Sequence, residues 1–286
     1  MLYLSLVLAT YGRSDLIGRF IEYLSVQTCK NFELIVVDQN ADDRVLPYIE
    51  QARCAGIAVS HYLMEKPNLS AARNLGIAHA TGAVIAFPDD DCWYEPQVVD
   101  RVFTAFAANP NWQGVVADWV EVSKVRGKIL SDSILCADKW RRYRDGDASS
   151  ITLFFRTDLL KRVGGFDRRL GIGQWFGAGE ETDLILTTLA TGALLVRRPD
   201  IRVHHKFEPA VSWPFALHWR STLRRARGTG ALYVKHRLPW RVVIRGFLAP
   251  PFVALRQRVG INGFALAMTT SVGRIQGALT WLVSAR

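Results

Sequence analysis

In Ala83-Val84-Ile85-Ala86-Phe87-Pro88-Asp89-Asp90-Asp91-Cys92-Trp93-Tyr94 an apolar run breaks into three consecutive carboxylates. Adjacent carboxylates repel one another, so their placement at the exit of a strand gains nothing for folding. A hard divalent cation reverses that balance. Mg²⁺ or Mn²⁺ takes oxygen ligands, and Mg²⁺ is commonly held by one or two carboxylates together with substrate phosphates. In an open α/β sheet, ligands gather beyond the carboxyl ends of the strands. Position therefore argues for a metal–diphosphate site at Asp89, Asp90 and Asp91 over a solvated acidic turn.

Working outward, the first 110 residues alternate strand and helix signals. Leu2–Ala9, Phe32–Val37, Ile57–Leu63 and Ala83–Phe87 read as strands. Asp15–Gln27 carries a helical stripe of Leu16, Phe20 and Leu24, and Asp43–Ala55 is a second helix. Ser70 is suited to cap a third helix that runs to His79 and stops at Gly82. Pro96 fits the first turn of a fourth. This alternation predicts an α/β fold, a mostly parallel Rossmann-like sheet flanked by helices. Beyond residue 112 the pattern loosens. Gly114–Val122 and Lys128–Ser131 read as a hairpin, and Ile151–Phe155 as a strand followed by a short helix capped by Thr157. Glu180–Ala190 reads as a helix, with short strands at Ala193–Val196 and Ile201–His205.

The 286 residues, 49% hydrophobic and 22% charged, suffice for a real core. The net charge of +10 is unevenly spread. Residues 213–286 contain twelve Lys or Arg and no Asp or Glu, whereas the first 212 contain 24 basic and 26 acidic side chains. That break predicts a domain over 1–212 and a basic helical region over 213–286. Cys29, Cys54, Cys92 and Cys136 show neither paired nor metal-type spacing, which fits a reducing cytosol. Met1–Thr10 lacks a basic signal-peptide start, and no window reaches the roughly 18 apolar residues of a spanning helix.

Further segments fall at positions that a parallel sheet would bring to one edge. The first strand runs into Ala9-Thr10-Tyr11-Gly12-Arg13, a turn whose backbone N–H groups would suit phosphate. The second strand ends in Val36-Val37-Asp38, and Asn68-Leu69-Ser70-Ala71-Ala72-Arg73-Asn74-Leu75-Gly76 opens a helix. Gly177-Ala178-Gly179-Glu180-Glu181-Thr182-Asp183-Leu184 and His204-His205 come later. In order and spacing, the set resembles glycosyltransferase family 2, the inverting nucleotide-sugar transferases of GT-A fold, over about residues 3 to 206. The resemblance implies that Thr10, Tyr11, Arg13, Asp38 and Arg73 contact the nucleotide. It matches Asp89 and Asp91 to the D-x-D acids, with Asp90 beside the nucleotide, and His204 to a further metal or diphosphate contact. Glu181 matches the presumed general base, where the usual residue is Asp. The extra methylene shifts the carboxylate by roughly 1.5 Å, a scale on which catalytic geometry is sensitive, so Glu180 and Asp183 stay open as alternatives. Gly12 replaces a customary asparagine. Trp175 precedes the base segment and is the candidate acceptor platform, whereas Trp93, Tyr94 and Trp140 read as core.

The resemblance implies a Mg²⁺- or Mn²⁺-dependent transfer from a nucleotide-diphosphate sugar to a glycan or lipid-linked acceptor, as in surface polysaccharide synthesis. A sugar nucleotidyltransferase shares the broad fold, but Ala9–Arg13 lacks its Gly-rich basic turn; a catalytically inactive membrane-bound binding protein is the third alternative. In the tail, Phe215, Trp219, Leu223 and Ala226 form one helical stripe beside Arg220, Arg224 and Arg227. Aromatic and basic residues in that pattern predict an amphipathic helix at an anionic membrane surface, peripheral on the cytoplasmic face of the cell membrane. The acidic body would oppose nucleic acid as a partner. The other reading of the tail is helices packed on the protein with solvated arginines.

Overall fold

The structure, a computed structural model, describes residues 3–12, 16–121, 131–144, 148–205 and 214–284. It divides into two compact units. The first, residues 1–136, 146–165 and 188–207, holds the sheet. Strand β1 (Leu4–Thr10), helix α1 (Ile17–Ser25), β2 (Phe32–Asp38), α2 (Leu46–Cys54), β3 (Ala58–Leu63), α3 (Leu69–His79) and β4 (Val84–Ala86) follow in the order the apolar pattern predicts. β1 lies parallel to both β2 and β4, and β2 parallel to β3. Apolar residues sit on both faces of these strands, as a sheet covered on both sides requires. Leu4, Leu6 and Leu8 pack with Phe20, Leu24 and Val36 in one continuous core.

The helix before the aspartates starts differently from the sequence reading. Its cap is Asn68, whose side chain accepts from the Ala71 N–H at 2.8 Å; Ser70 lies inside the first turn, buried. The helix ends at His79, because Ala80 is already extended. Gly82 serves a close approach instead. A Cβ there would lie 2.6 Å from the Tyr3 carbonyl and 2.7 Å from the Ser5 nitrogen.

After β4 the sheet turns mixed, in the order β3-β2-β1-β4-β8-β6-β9-β5. Here β5 is Cys92–Tyr94, β6 Gly114–Glu121, β8 Leu153–Arg156 and β9 Leu195–His205. β8 is antiparallel to β4 and β6, and β9 is parallel to β6. The two short strands expected near 193–205 are one strand, with a register shift opposite Ala117 and Asp118 that absorbs the Pro199 region. The return arm of the expected hairpin lies largely outside the described residues; β7 (Ser133–Ile134) pairs with β9. Helix α4 (Val98–Ala108) covers the sheet. In α6 (Thr157–Val163) the cap position is Arg156, and the Thr157 hydroxyl donates to the Gly82 carbonyl at 2.5 Å.

The second unit comprises residues 137–145, 166–187 and 208–286. It joins the basic tail to α5 (Ala137–Arg141) and to the first two turns of α7 (Glu180–Ala190). The tail forms α8 (Phe215–Lys235), α9 (Trp240–Gln257) and α10 (Gly260–Ser284). Helices α8 and α10 meet backbone to backbone through small residues. A Cβ on Gly230 would fall 1.9 Å from the Arg274 carbonyl. Leu170, Phe176, Ala231, Leu232 and Trp281 form this unit's core. No helix among the described residues is long and apolar enough to cross a membrane.

Candidate active site

The parallel register sets the ends of β1 and β2 side by side, with Thr10 opposite Asp38. Thr10 is buried, and its Oγ1 donates to Asp90 Oδ2 at 3.3 Å. Asp38 is also buried. Its Oδ1 accepts from the backbone N–H and the side-chain amide of Asn40, at 2.9 and 2.7 Å, and its Oδ2 lies 3.1 Å from His61 Nε2 on β3. Asn40 Oδ1 in turn accepts from the Gly12 N–H at 2.7 Å. Asp38 therefore shapes the turn that carries Tyr11, which stands 60% exposed. Gly12 adopts φ +75°, a left-handed backbone that suits glycine. Arg13 lies outside the described residues.

Arg73 is nearly fully buried on α3. Its Nη2 donates to Asp89 Oδ1 at 3.1 Å and to Ser150 Oγ at 2.7 Å. It thus braces Asp89 from the protein side, and Asp89 keeps one-third exposure. Alternation along β9 separates the two adjacent histidines. His205 Nε2 lies 3.0 Å from Asp91 Oδ1, with its ring edge-on to Trp119. His204 lies against Trp93, rings 5.4 Å apart, and its Nε2 meets Glu95 Oε1 at 3.1 Å. The histidine brought to the aspartates is therefore His205, not His204. Among the described residues no group of three or more His, Cys, Asp or Glu is gathered as a metal site. Burial, and then the charge of Asp89, pushes the Cys92 thiol well above its ordinary range, so it stays neutral.

In the second unit, the loop before α7 rests on the backbone of α8. The Gly177 N–H donates to the Arg224 carbonyl at 3.1 Å, and a Cβ on Gly228 would lie 1.9 Å from the Ala178 carbonyl. The three acids that follow divide by environment. Asp183 is buried, and its two oxygens take Lys235 Nζ at 2.7 Å and His236 Nε2 at 2.7 Å. Lys235 also donates to Asp167, which Arg169 grips through both oxygens. Burial alone would raise the Asp167 carboxyl, but the hydrogen bonds from Arg169 and Lys235 outweigh it and hold it well below the usual carboxylate range. Glu180 is buried. Glu181 is half-buried and lines a cavity of about 430 Å³. Trp175 is 54% exposed, and the Arg227 guanidinium caps its ring at 3.7 Å.

Residues 5–159 match the sequence model of glycosyl transferase family 2. The chain belongs to glycosyltransferase family 2. This family 2 chain is 32% identical over 110 residues to an uncharacterized glycosyltransferase of Haemophilus influenzae, covering 38% of the chain and 36% of that protein. It is 34% identical over 98 residues to the amylovoran biosynthesis glycosyltransferase AmsB of Erwinia amylovora, a third of each. The chain thus spans about a third of the length of these relatives. With the glucosyl-dolichyl phosphate glucuronosyltransferase of Haloferax volcanii the likeness is 23% identity but covers 96% of both. Among solved structures, the mannosyltransferase PcManGT from Pyrobaculum calidifontis, in complex with GDP-Man and Mn²⁺, superposes with TM-score 0.67 at 15% identity. That match covers all of the chain and 88% of PcManGT. S. aureus TarS 1-349 gives 0.63 at 14%, covering 96% and 92%. At these identities the likeness is one of fold, and the fold is GT-A.

Of the residues expected from sequence, Thr10 with Asp90 and Arg73 with Asp89 form two hydrogen-bonded pairs on adjacent aspartates in the first unit, with Asp38 beside Thr10. His61, Asn40 and His205 were missed there. Alternation along β9 offered His205 as one of two, and nothing in the sequence chose between them. Lys235, His236 and Asp167 were also missed, because a basic tail gives no sign of which cation reaches which acid.

Proposed function

We propose that this family 2 chain is an inverting transferase that moves a sugar from a nucleoside diphosphate to a hydroxyl of a glycan or lipid-linked acceptor in surface polysaccharide synthesis. The observation that carries this reading is the strand-end cluster of Thr10, Asp38, Arg73 and Asp89–Asp91 inside the region that matches the family. PcManGT holds GDP-Man and Mn²⁺, and TarS has been seen with UDP-GlcNAc. AmsB is named for amylovoran biosynthesis, and the Haloferax relative for a dolichyl phosphate substrate.

In this reading Tyr11 and the Asp38-shaped turn hold the nucleoside, and Arg73 positions Asp89. Asp91, which His205 meets, and the partly exposed Asp89 would hold Mg²⁺ or Mn²⁺ only together with the donor's diphosphate oxygens, because no three such protein ligands are gathered among the described residues. One or two carboxylates plus substrate phosphates suit either cation. The cation's contribution is to neutralise the charge that develops on the departing diphosphate. The acceptor oxygen attacks the anomeric carbon as the bond to the diphosphate breaks, and its proton passes to a carboxylate. Asp183 is held by Lys235 and His236, and Glu180 is buried; Glu181, which faces a cavity, is the base this sorting favours. Trp175 would stack on the acceptor.

The tail supports peripheral attachment to the anionic cytoplasmic leaflet. Along α9, Trp240, Ile244, Leu248, Phe252 and Leu255 are exposed at helical spacing, with Arg241 and Arg245 between them. The test is incubation of the full chain with a panel of nucleotide sugars in Mn²⁺, Mg²⁺ or EDTA, reading nucleoside diphosphate release and the product's anomeric configuration. Metal-dependent release with one donor and an inverted product is expected. A retained anomer, or conversion of nucleoside triphosphate and sugar 1-phosphate into nucleotide sugar and pyrophosphate without transfer to an acceptor, would sink the reading.

A further inference from the structure

The cavity beside Glu181 lies wholly within the second unit, between α7, α8 and α10. Its charged walls are Glu181, Arg225 and Arg274, and Tyr143, Thr222 and Thr270 add hydroxyls. The two guanidiniums are poorly answered by protein. Arg225 is exposed and makes no ion pair among the described residues. Arg274 donates through Nη1 to the Gly246 carbonyl at 2.7 Å, whereas its Nε is buried and meets no acceptor among the described residues. A buried charged donor left without a partner is destabilising, so an acceptor atom from outside is favoured. Tyr143 and Tyr233 are the titratable neighbours of Arg274. Burial pushes both hydroxyls up, so neither supplies a counter-charge at neutral pH. The volume of about 430 Å³ is that of a small-molecule site.

We propose that this cavity is an acceptor subsite that binds a phosphate or diphosphate group through Arg225 and Arg274, with the acceptor's hydroxyl directed to Glu181. The proposal rests on Glu181 as the base, and it makes the acceptor an anion instead of a neutral glycan. Guanidinium pairs with phosphate through bidentate, charge-assisted hydrogen bonds, and the flanking hydroxyls add short donors. Glu181, which lines the same cavity, repels the same group, so a phosphate-bearing acceptor is oriented by both charges.

The test uses the full chain in EDTA, which suppresses metal-mediated binding at the aspartates, and titrates inorganic pyrophosphate calorimetrically. Arg225→Gln and Arg274→Gln should each weaken binding at least about tenfold, the loss of a charge-assisted hydrogen bond. Arg225 is exposed and makes no ion pair among the described residues, so Arg225→Gln keeps the test decisive even if loss of the Gly246 contact disturbs Arg274→Gln. In the transfer assay a phosphorylated acceptor should be preferred over its dephosphorylated counterpart, and Arg225→Gln should erase the preference. Equal pyrophosphate affinity in wild type and both variants, or equal use of the two acceptors, overturns the subsite. A third arm measures binding to phosphatidylglycerol vesicles, which Arg225→Gln should leave unchanged. Loss of vesicle binding with acceptor preference retained would assign the arginines to bilayer headgroups and overturn it too. Donor hydrolysis by wild type, read in the same samples, reports separately on the glycosyltransferase reading, since the pyrophosphate titration does not depend on it.

Discussion

Asp91 and Asp183 are both largely buried carboxylates beside a histidine, yet their regions use them differently. Asp183 is met by a lysine ammonium as well as the His236 ring, and the lysine is shared with Asp167. Its charge is answered within the protein, and it fixes the end of α8 to the start of α7. Asp91 is met by an imidazole, in a row with Asp89 and Asp90 at a strand exit. A carboxylate row at a strand exit, with Asp89 one-third exposed, is suited to meeting a ligand; a carboxylate clasped by a lysine and a histidine is suited to holding helices together. In the proposed reading the contrast separates a carboxylate that serves the ligand from one that serves the architecture, where sequence treats them alike.

The sharpest break is expected at the strand-end acids. Asp91→Asn should abolish measurable transfer, a loss of at least about 10³-fold for a group that orients a catalytic metal, with the fold intact by circular dichroism. Next comes Glu181→Gln, which should lower turnover by at least about 10²-fold, the low end for a lost general base, and leave donor affinity unchanged. Steady-state kinetics on Glu180→Gln provides the control. If that variant is the inactive one and Glu181→Gln turns over normally, the sorting by environment is wrong.

Asp183→Asn should act on stability before chemistry. Removing one partner of a buried ion pair costs about 3–5 kcal/mol, so urea unfolding should shift markedly while Asp91→Asn leaves the midpoint near wild type. A milder effect is expected from Phe252→Asp on α9. It should weaken binding to anionic vesicles without changing turnover on a soluble acceptor, and flotation of full-length wild type and variant decides it. The smallest is a pH effect at Asp167. Its folded pKa is depressed, so its stabilisation is complete above the unfolded value of about 3.9 and is lost as pH falls toward the folded value. Wild type and Asp167→Asn should therefore differ in stability at neutral pH and converge in acid.

The sequence was most legible where topology does the work. In a parallel sheet the ends of β1, β2 and β4 must converge, so Thr10, Asp38 and the aspartates could be grouped from apolar periodicity alone. The choice of His205 over His204 needed the β5–β9 register, in which Cys92 stands opposite His205 and Trp93 opposite His204. The cap at Asn68 was missed because Asn and Ser are near-equal caps two residues apart. In the tail, composition suggested an amphipathic surface helix at Trp213–Arg227; in α8 Phe215 and Trp219 are exposed while Ala226 of the same stripe is buried, and exposed apolar side chains recur along α9. But α8 also supports the loop before α7, through Gly228, and packs on α10 through Gly230, glycines that read in sequence as mere helix weakeners. Contacts that depend on an absent side chain leave little trace in a hydrophobic pattern.

In the proposed reading, donor and metal are handled by the strand-end acids and proton transfer by the segment that opens α7. Calorimetric titration of the full chain with the product nucleoside diphosphate, in Mn²⁺ and in EDTA, tests it most directly. Wild type and Glu181→Gln should bind equally and far more tightly in Mn²⁺, while Asp91→Asn should bind weakly and alike in both. Equal affinity of wild type with and without metal, or a loss in Glu181→Gln as large as that in Asp91→Asn, would contradict it.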